Sequence, residues 1–335
     1  MRRFAQFDGF LILVMTFALP AVLMVGCGGG KMTQEEENKA IVRQFWHEGW
    51  EQGNQAVFDE ICAIDFVNHD PNVPEVIDLE SYKQHVALHV SAFRADKAVE
   101  IDEMVAQGDE VAVRWTWRAT HEGAYMGIPP SGSQLTLTGM AFHRLAEGKV
   151  AENWHQCDAL GFMQQLGVVP SMGREDFTWG QLMEPVATAP SDLEANEAVY
   201  IREAEELWNE GNLDALDDIF SVGFVNHDPA WPTVTDRESF RGWAAGWLEA
   251  APDMEIVIED IVAQRDKVAG RWTCRWTDVA GIAGSQPTGK RIEVTGMDIC
   301  RIADGKIVER WWAKDVLSAL QQLGVVAPLT EESKE

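Results

Sequence analysis

Two hexapeptides carry residue types suited to moving a proton: Phe66-Val67-Asn68-His69-Asp70-Pro71 and Phe224-Val225-Asn226-His227-Asp228-Pro229. An imidazole such as His69 or His227 gives or takes a proton near neutral pH, and the amide of Asn68 or Asn226 can orient an enolate oxygen by hydrogen bonding. Asn, Asp and Pro are equally turn formers, and a histidine there can simply satisfy backbone groups. For His69 and His227 the proton-transfer role is expected. Arg114 and Arg271 sit in two copies of Arg-Trp-Thr. Each either faces a ligand's oxygens or forms a structural salt bridge; the bridge is preferred, with Glu152 and Glu309 as candidate partners. His85 and His89 are four apart on one helix face and could bind a metal. No Glu adjoins the first of them and no third ligand can be named, so a solvated helix face is expected and no metal site.

The elements that position these residues come twice. The hexapeptides are offset by 158 residues, and Val105-Ala106-Gln107, Arg114-Trp115-Thr116, Thr138-Gly139-Met140 and Gln164-Gln165-Leu166-Gly167-Val168-Val169 each recur at an offset of 157. A period this long means two copies of one domain rather than a solenoid. Copy one is placed at 33–172 and copy two at 193–329. Residues 173–192 form a linker with Pro185 and Pro190, and 330–335 a short tail. Each copy starts helical. Thr33-Gln34-Glu35-Glu36 fits a capping box, Ile41, Val42, Phe45 and Trp46 follow at helical spacing, and Gly53-Asn54 or Gly211-Asn212 close the segment. A second helix runs over 56–62 (213–220 in copy two) and is broken by Asn-His-Asp-Pro. A third contains Ser81 to Phe93, matched by Arg237 to Ala250. The remainder alternates: Val111, Val113, Trp115 and Trp117 share one strand face, Arg114, Thr116 and Arg118 the other. Glu147-Gly148 and Asp304-Gly305 mark tight hairpins. Helices followed by antiparallel strands read as α+β, with a curved sheet folded over helices to enclose one apolar pocket per copy.

The two copies differ in their histidines. Copy one has His47, His69, His85, His89, His121, His143 and His155, whereas copy two has His227 alone. Asp278, Cys300 and Trp312 replace the last three. Chemistry that needs a second histidine is therefore confined to copy one, and copy two is expected to bind or to support.

The chain has 335 residues, net charge −27 and 14 tryptophans against 3 tyrosines. Such a polyanion excludes nucleic acid as a partner, because phosphate affinity comes from clustered Lys and Arg. Arg2 and Arg3, an apolar run from Phe10 to Val25 and Met24-Val25-Gly26-Cys27 have the layout of an export signal. The end resembles a bacterial lipobox, with Met in place of the usual Leu. Residues 1–27 are read as a lipoprotein-type signal, Cys27 as the lipidated residue, and 28–32 as a tether. The run is shorter than the ~20 residues a span needs. A lipid-anchored protein of the bacterial cell envelope is the resulting expectation. Cys62, Cys157, Cys274 and Cys300 form no C-x-x-C pair, and buried free thiols are expected.

Each copy resembles a SnoaL-like polyketide cyclase, or ester cyclase, domain. The resemblance is carried by Phe-Val-Asn-His-Asp-Pro, the Arg-Trp-Thr strand, the loop at 121–132, and the closing runs from Gly148 to Gly167 and Gly305 to Gly324. It implies the NTF2-like cone-shaped α+β fold, with N-terminal helices on a curved, mainly antiparallel sheet. It also implies acid–base chemistry without a cofactor, in which an aspartate shuttles a proton during ring closure. By position that role passes to Asp158 and Asp315, each four residues after a Trp. On a continuing strand Asp158 shares a face with Trp154 and Glu152, and Asp315 with Trp311 and Glu309. If the Trp faces the pocket so does the carboxylate, whose pKa desolvation would raise. Asp158 is equally suited to capping the helix that follows. Asn68, Trp115, His121, Trp154, Asn226, Trp272 and Trp311 are the expected contacts to a small organic molecule, with His69 and His227 assisting. The two domains are expected to pack as an internal pseudo-dimer. The competing function is a binding lipoprotein that turns nothing over.

Overall fold

The computed structural model describes residues 32–170, 192–281 and 286–327. The signal segment with Cys27, most of the tether and linker, and the tail lie outside them. No helix among the described residues is long and apolar enough to cross a membrane.

Copy one opens with α1 (Gln34–Gln44), capped by the Thr33 side chain, which accepts from the Glu36 amide. The helix continues as a π-helical turn over Phe45–Glu51, and α2 (Gln55–Ile61) follows, capped by Asn54. β1 (Cys62–His69) comes next, then α3 (Leu79–Ala92) with a full capping box between Asp78 and Ser81. The strands β2 (Ala98–Gln107), β3 (Glu110–Thr120), β4 (Gln134–Ala146) and β5 (Lys149–Cys157) lead into α4 (Ala159–Gln165). Copy two repeats this: α5 (Leu193–Arg202) with a π-helical continuation to Asn209, a 3₁₀ turn and α6 (Leu216–Ile219), β6 (Phe220–His227) and α7 (Arg237–Ala250). It closes with β7 (Glu255–Gln264), β8 (Lys267–Thr277), β9 (Arg291–Ala303), β10 (Lys306–Lys314) and α8 (Val316–Leu323).

Each sheet has five strands, ordered β1-β5-β4-β3-β2 and β6-β10-β9-β8-β7. The last four of each pair antiparallel, as the alternation predicts. The first is a correction. The hexapeptide ends a strand rather than merely breaking a helix: β1 pairs parallel with β5 and β6 parallel with β10. Its sequence hid this, because an edge strand pairs on one side only. Ile64 is fully exposed there.

The helices cover one face of each sheet. Trp115, Trp117, Val111 and Val113 point to that side in copy one, and Trp272, Cys274 and Trp276 in copy two. The opposite faces pack on one another. Val105, Ala112, Met140 and Phe142 meet Val262, Ala269, Met297, Ile299, Trp311 and Ala313 in a third, shared core. Its rim is pseudo-symmetric: the Arg114 guanidinium lies 4.8 Å over the Trp311 ring and that of Arg271 4.6 Å over Trp154. Polar contacts close the edges, among them Lys267 to Glu103 at 3.1 Å and the Thr295 hydroxyl donating to Gln156 at 3.1 Å. Both arginines are therefore structural. Their carboxylate partners are Asp102 and Asp260 on β2 and β7. Glu152 pairs instead with Arg144, and Glu309 with Arg301. The four later cysteines are buried free thiols.

Candidate functional site

A cavity of about 460 Å³ opens between the helices and sheet of copy one. Alternation along β5 turns Asn153, His155 and Cys157 into it, while Glu152, Trp154 and Gln156 face the other way. The loop after β1 brings Asp70 in from the opposite side, and His155 Nδ1 lies 3.0 Å from Asp70 Oδ2. Trp115 stacks flat on the imidazole, with ring centres 5.2 Å apart and planes 13° apart. Burial pushes the Asp70 carboxyl up, but His155 and the Asn72 amide outweigh it and hold the group below the usual carboxylate range. The α3 face adds His85 and His89, and the Tyr125 hydroxyl lies 2.8 Å from His89 Nε2. Burial lowers both of these imidazoles, His89 strongly, so they are neutral at pH 7. The expectation of a solvated helix face is thus overturned, since the packing of α3 turns this face inward. Among the described residues, no cluster of His, Cys, Asp and Glu could hold a metal ion.

A further carboxyl in this cavity comes from the other copy. Asp315 begins α8, where its Oδ1 accepts the Ser318 amide at 2.9 Å, and it lines the first cavity with Leu317, Ser318 and Gln321. Burial pushes its pKa up to about 6, the Ser318 amide lowers it and the nearby Asp70 raises it. Of the carboxyls that line this cavity (Asp70, Glu75 and Asp315), the surroundings drive Asp70 and Asp315 in opposite directions, the pattern that separates a base from an acid.

Copy two encloses a cavity of about 530 Å³. Seven tryptophans line it: Trp208, Trp231, Trp243, Trp247, Trp272, Trp276 and Trp312. The place of His155 is taken by Trp312 and that of Cys157 by Lys314, whose Nζ donates to Asp228. Behind them, Arg310 is enclosed by Glu203 and Asp298, and Asp298 also accepts from Tyr200 and Trp272.

The expected site residues divide accordingly. Asn68 and Trp115 line the first cavity and Trp272 the second. Asn226 instead accepts from the Trp312 indole and donates to the Val234 carbonyl, which fixes the loop. His69 is stacked on Trp154 (4.9 Å, 10°) and lies 3.0 Å from Glu152; His227 is stacked on Trp311 (5.2 Å, 7°) and lies 3.0 Å from Glu309. None of these lines either cavity. Trp154 and Trp311 belong to the sheet-to-sheet core, because the face they occupy meets the second sheet. His121 is buried but serves its loop: its ring meets the Ser131 hydroxyl and amide, as Asp278 holds Thr288 and Gly281 in copy two. Asp158 caps α4 through the Gly161 amide and lines neither of these two cavities. His155, Asp70 and Lys314 were missed as site residues. The duplicated Asp, and the replacement of His155 and Cys157 by Trp312 and Lys314, were the signals available.

Comparison with known proteins places the sequence in one family. The model of the SnoaL-like polyketide cyclases matches residues 40–166 and again 198–323. The chain belongs to this family, as a tandem of two domains. Among solved structures, a candidate polyketide cyclase from Acidithiobacillus ferrooxidans is 31% identical, over 41% of this chain and 98% of that one, with a TM-score of 0.37. A candidate SnoaL-like polyketide cyclase from Jannaschia sp. CCS1 is 24% identical over 43% and 100%, TM-score 0.39. IdmH, a candidate polyketide cyclase from Streptomyces antibioticus, is 31% identical over 38% and 98%, TM-score 0.36. No curated protein matches the chain.

Proposed function

We propose that the first cavity carries out proton-transfer chemistry on a small organic molecule, a cyclisation or isomerisation, using only groups of this chain. The observation that carries this reading is the His155–Asp70 pair in a cavity that also holds the Asp315 carboxyl. Asp70 against Nδ1 orients the imidazole and leaves Nε2 to take a proton from carbon. Trp115 beneath the ring fixes its plane. Asp315, uncharged below about pH 6, is placed to return a proton to the developing oxyanion. Family membership supports a small-molecule ligand. The signal-like segment and Cys27 support export and a lipid anchor at the cell envelope, which radiolabelled palmitate incorporation lost in Cys27→Ser would test.

The base is testable without the natural substrate. In 5-nitrobenzisoxazole, removal of the ring C–H breaks the N–O bond and releases a coloured nitrophenolate. The purified full chain should open this probe faster than equimolar free imidazole, and His155→Gln and Asp70→Asn should each lose about 10²-fold or more. Lys314→Arg, in the other cavity, should keep the rate. An undiminished rate in His155→Gln, or a wild type no faster than imidazole, overturns the proposal. A second reading applies to copy two, whose cavity has no histidine: it binds rather than exchanges protons with carbon.

A further inference from the structure

The cavity of copy two contains a nucleophile that the proton-transfer chemistry does not use. Lys314 ends β10 with its side chain nine-tenths buried. Its Nζ stands 4.5 Å from the ring centre of Trp231, 5.1 Å from Trp243 and 4.6 Å from Trp312. The Asp228 carboxylate is its hydrogen-bond partner, through Oδ2 at 2.5 Å, and the other oxygen of Asp228 accepts the Ala230 amide at 2.9 Å. The remaining charges nearby are committed to one another: Arg310 holds Glu203 and Asp298. One primary amine thus faces an apolar, aromatic cavity with one carboxyl within proton-transfer distance.

We propose that Lys314 is an imine-forming residue that captures an aromatic or conjugated aldehyde or ketone in the second cavity. An amine becomes nucleophilic when an apolar pocket disfavours its ammonium form. Burial does lower Lys314, against the opposing pull of Asp228. In the reaction Asp228 takes the ammonium proton, the amine lone pair adds to the carbonyl carbon, and Asp228 passes that proton to the carbonyl oxygen. Asp228 then removes a second proton from nitrogen and delivers it to the new hydroxyl. The C–O bond breaks, water leaves, and the nitrogen lone pair closes the C=N bond. Ammonium and carbonyl become protonated imine and water, with no oxidant or reductant. The positive charge stays on the same nitrogen, so the tryptophan faces and Asp228 that hold the ammonium also hold the product. The carbonyl compound is expected to be flat, to fit between indoles. It is also expected to bear a further oxygen: the indole N–H of Trp276, 4% exposed on the cavity wall, has no acceptor among the described residues. Copy one cannot do this chemistry, because Cys157 stands where Lys314 does.

The test is reductive trapping on the full chain. Protein, 2-naphthaldehyde and sodium cyanoborohydride are mixed at pH 7, and adducts are located by peptide mass spectrometry. Lys314 should be alkylated at least about tenfold faster than Lys290, which is exposed. Lys314→Arg keeps a cation for Asp228 and hence the fold, and should abolish the fast adduct while leaving that at Lys290. Asp228→Asn, folded by tryptophan fluorescence, should slow trapping at Lys314 about tenfold. Modification of Lys314 no faster than Lys290, no adduct at Lys314, or fast labelling that persists in Lys314→Arg each overturns the proposal. An unaltered rate in Asp228→Asn overturns the role of the carboxyl.

Discussion

Asp315 makes two claims on one side chain, a helix cap and a buried carboxyl, and Asp315→Asn separates them. Asparagine caps a helix as well as aspartate does, so α8 keeps its bond to Ser318, while the titration is lost. The folded carboxyl ionises at about 6 against an ordinary 3.8. The folded state therefore binds more protons than the unfolded chain between those values. Its contribution is fully present below pH 3.8 and is lost as pH rises through 6. The loss amounts to about 3 kcal/mol in all, about half of it between pH 5 and 8. Urea unfolding of wild type and variant, followed by tryptophan fluorescence at half-unit steps over that range, measures it, and stays above the isoelectric region near 4.6. Taking the difference cancels every titration the two proteins share. The variant should gain on wild type by roughly 1.5 kcal/mol from pH 5 to 8, with most of the gain below pH 6.5. A difference that is flat with pH would mean that Asp315 is a solvated cap, and would remove it as the proton donor of the first cavity. The sensitivity to Asp70 gives a cross-check: Asp70→Asn should move the midpoint of the Asp315 effect downward.

Three further outcomes follow from the packing. His143 accepts from the Trp46 indole and is held down to about 3 by burial. Its depressed pKa supports stability above pH 6.5 that is lost as pH falls, about 2 kcal/mol by pH 5; His143→Cys, the residue type at the matching position Cys300, should flatten that slope in the same urea series. A methyl group on Gly139 would lie 2.3 Å from the Trp115 ring and 2.6 Å from the Gln156 carbonyl. Gly139→Ala should therefore cost about 1–3 kcal/mol and shift the emission of Trp115, as a lowered urea midpoint would show. Arg310→Met leaves Glu203 and Asp298 buried without their cation, and should cost about 3–5 kcal/mol, read as a fall in the thermal midpoint.

Much of the architecture was legible in the residues. The 157–158 offset revealed two domains, and the caps Thr33 and Asp158 stand where helix-start signals place them, whereas Asn54, read as closing a helix, starts α2, and Asp315, read on a continuing strand, starts α8. The alternation of β3 separated its two faces correctly. What alternation cannot do is say where each face goes when both are buried. On β5 and β10 one face meets a cavity and the other a second sheet, and both are rich in aromatic residues. The tryptophans drew the pocket reading to Trp154 and Trp311, one residue away from His155 and Trp312, which line the cavities. The parallel strand β1 was hidden for a related reason. Its partner lies some 85 residues away, and no local signal records that pairing. It is this strand that aligns His69 over Trp154 and delivers Asp70, just beyond its end, to the cavity.

The retained aspartate of the duplicated motif explains why the two cavities differ. Asp70 lines the aromatic cavity of copy one and Asp228 is buried behind the lysine of copy two, and a carboxylate so enclosed is costly without a partner that can donate to it. Copy one supplies His155 and copy two supplies Lys314, two positions further along the same strand. The exchange is not neutral. A histidine partner can pass a proton to and from carbon acids near neutral pH, because its own affinity for the proton is modest. A lysine partner instead offers a primary amine, which can bond to a carbonyl carbon. Once Lys314 fills the space that Cys157 occupies, Trp312 can replace the imidazole and the cavity becomes a cage of indoles around one nitrogen. Asp315 ties the pair together, since the capping residue of copy two completes the cavity of copy one. Removing copy two should therefore alter the pH dependence of the first site as well as its stability, because Asp315, Leu317, Ser318 and Gln321 of copy two line that cavity.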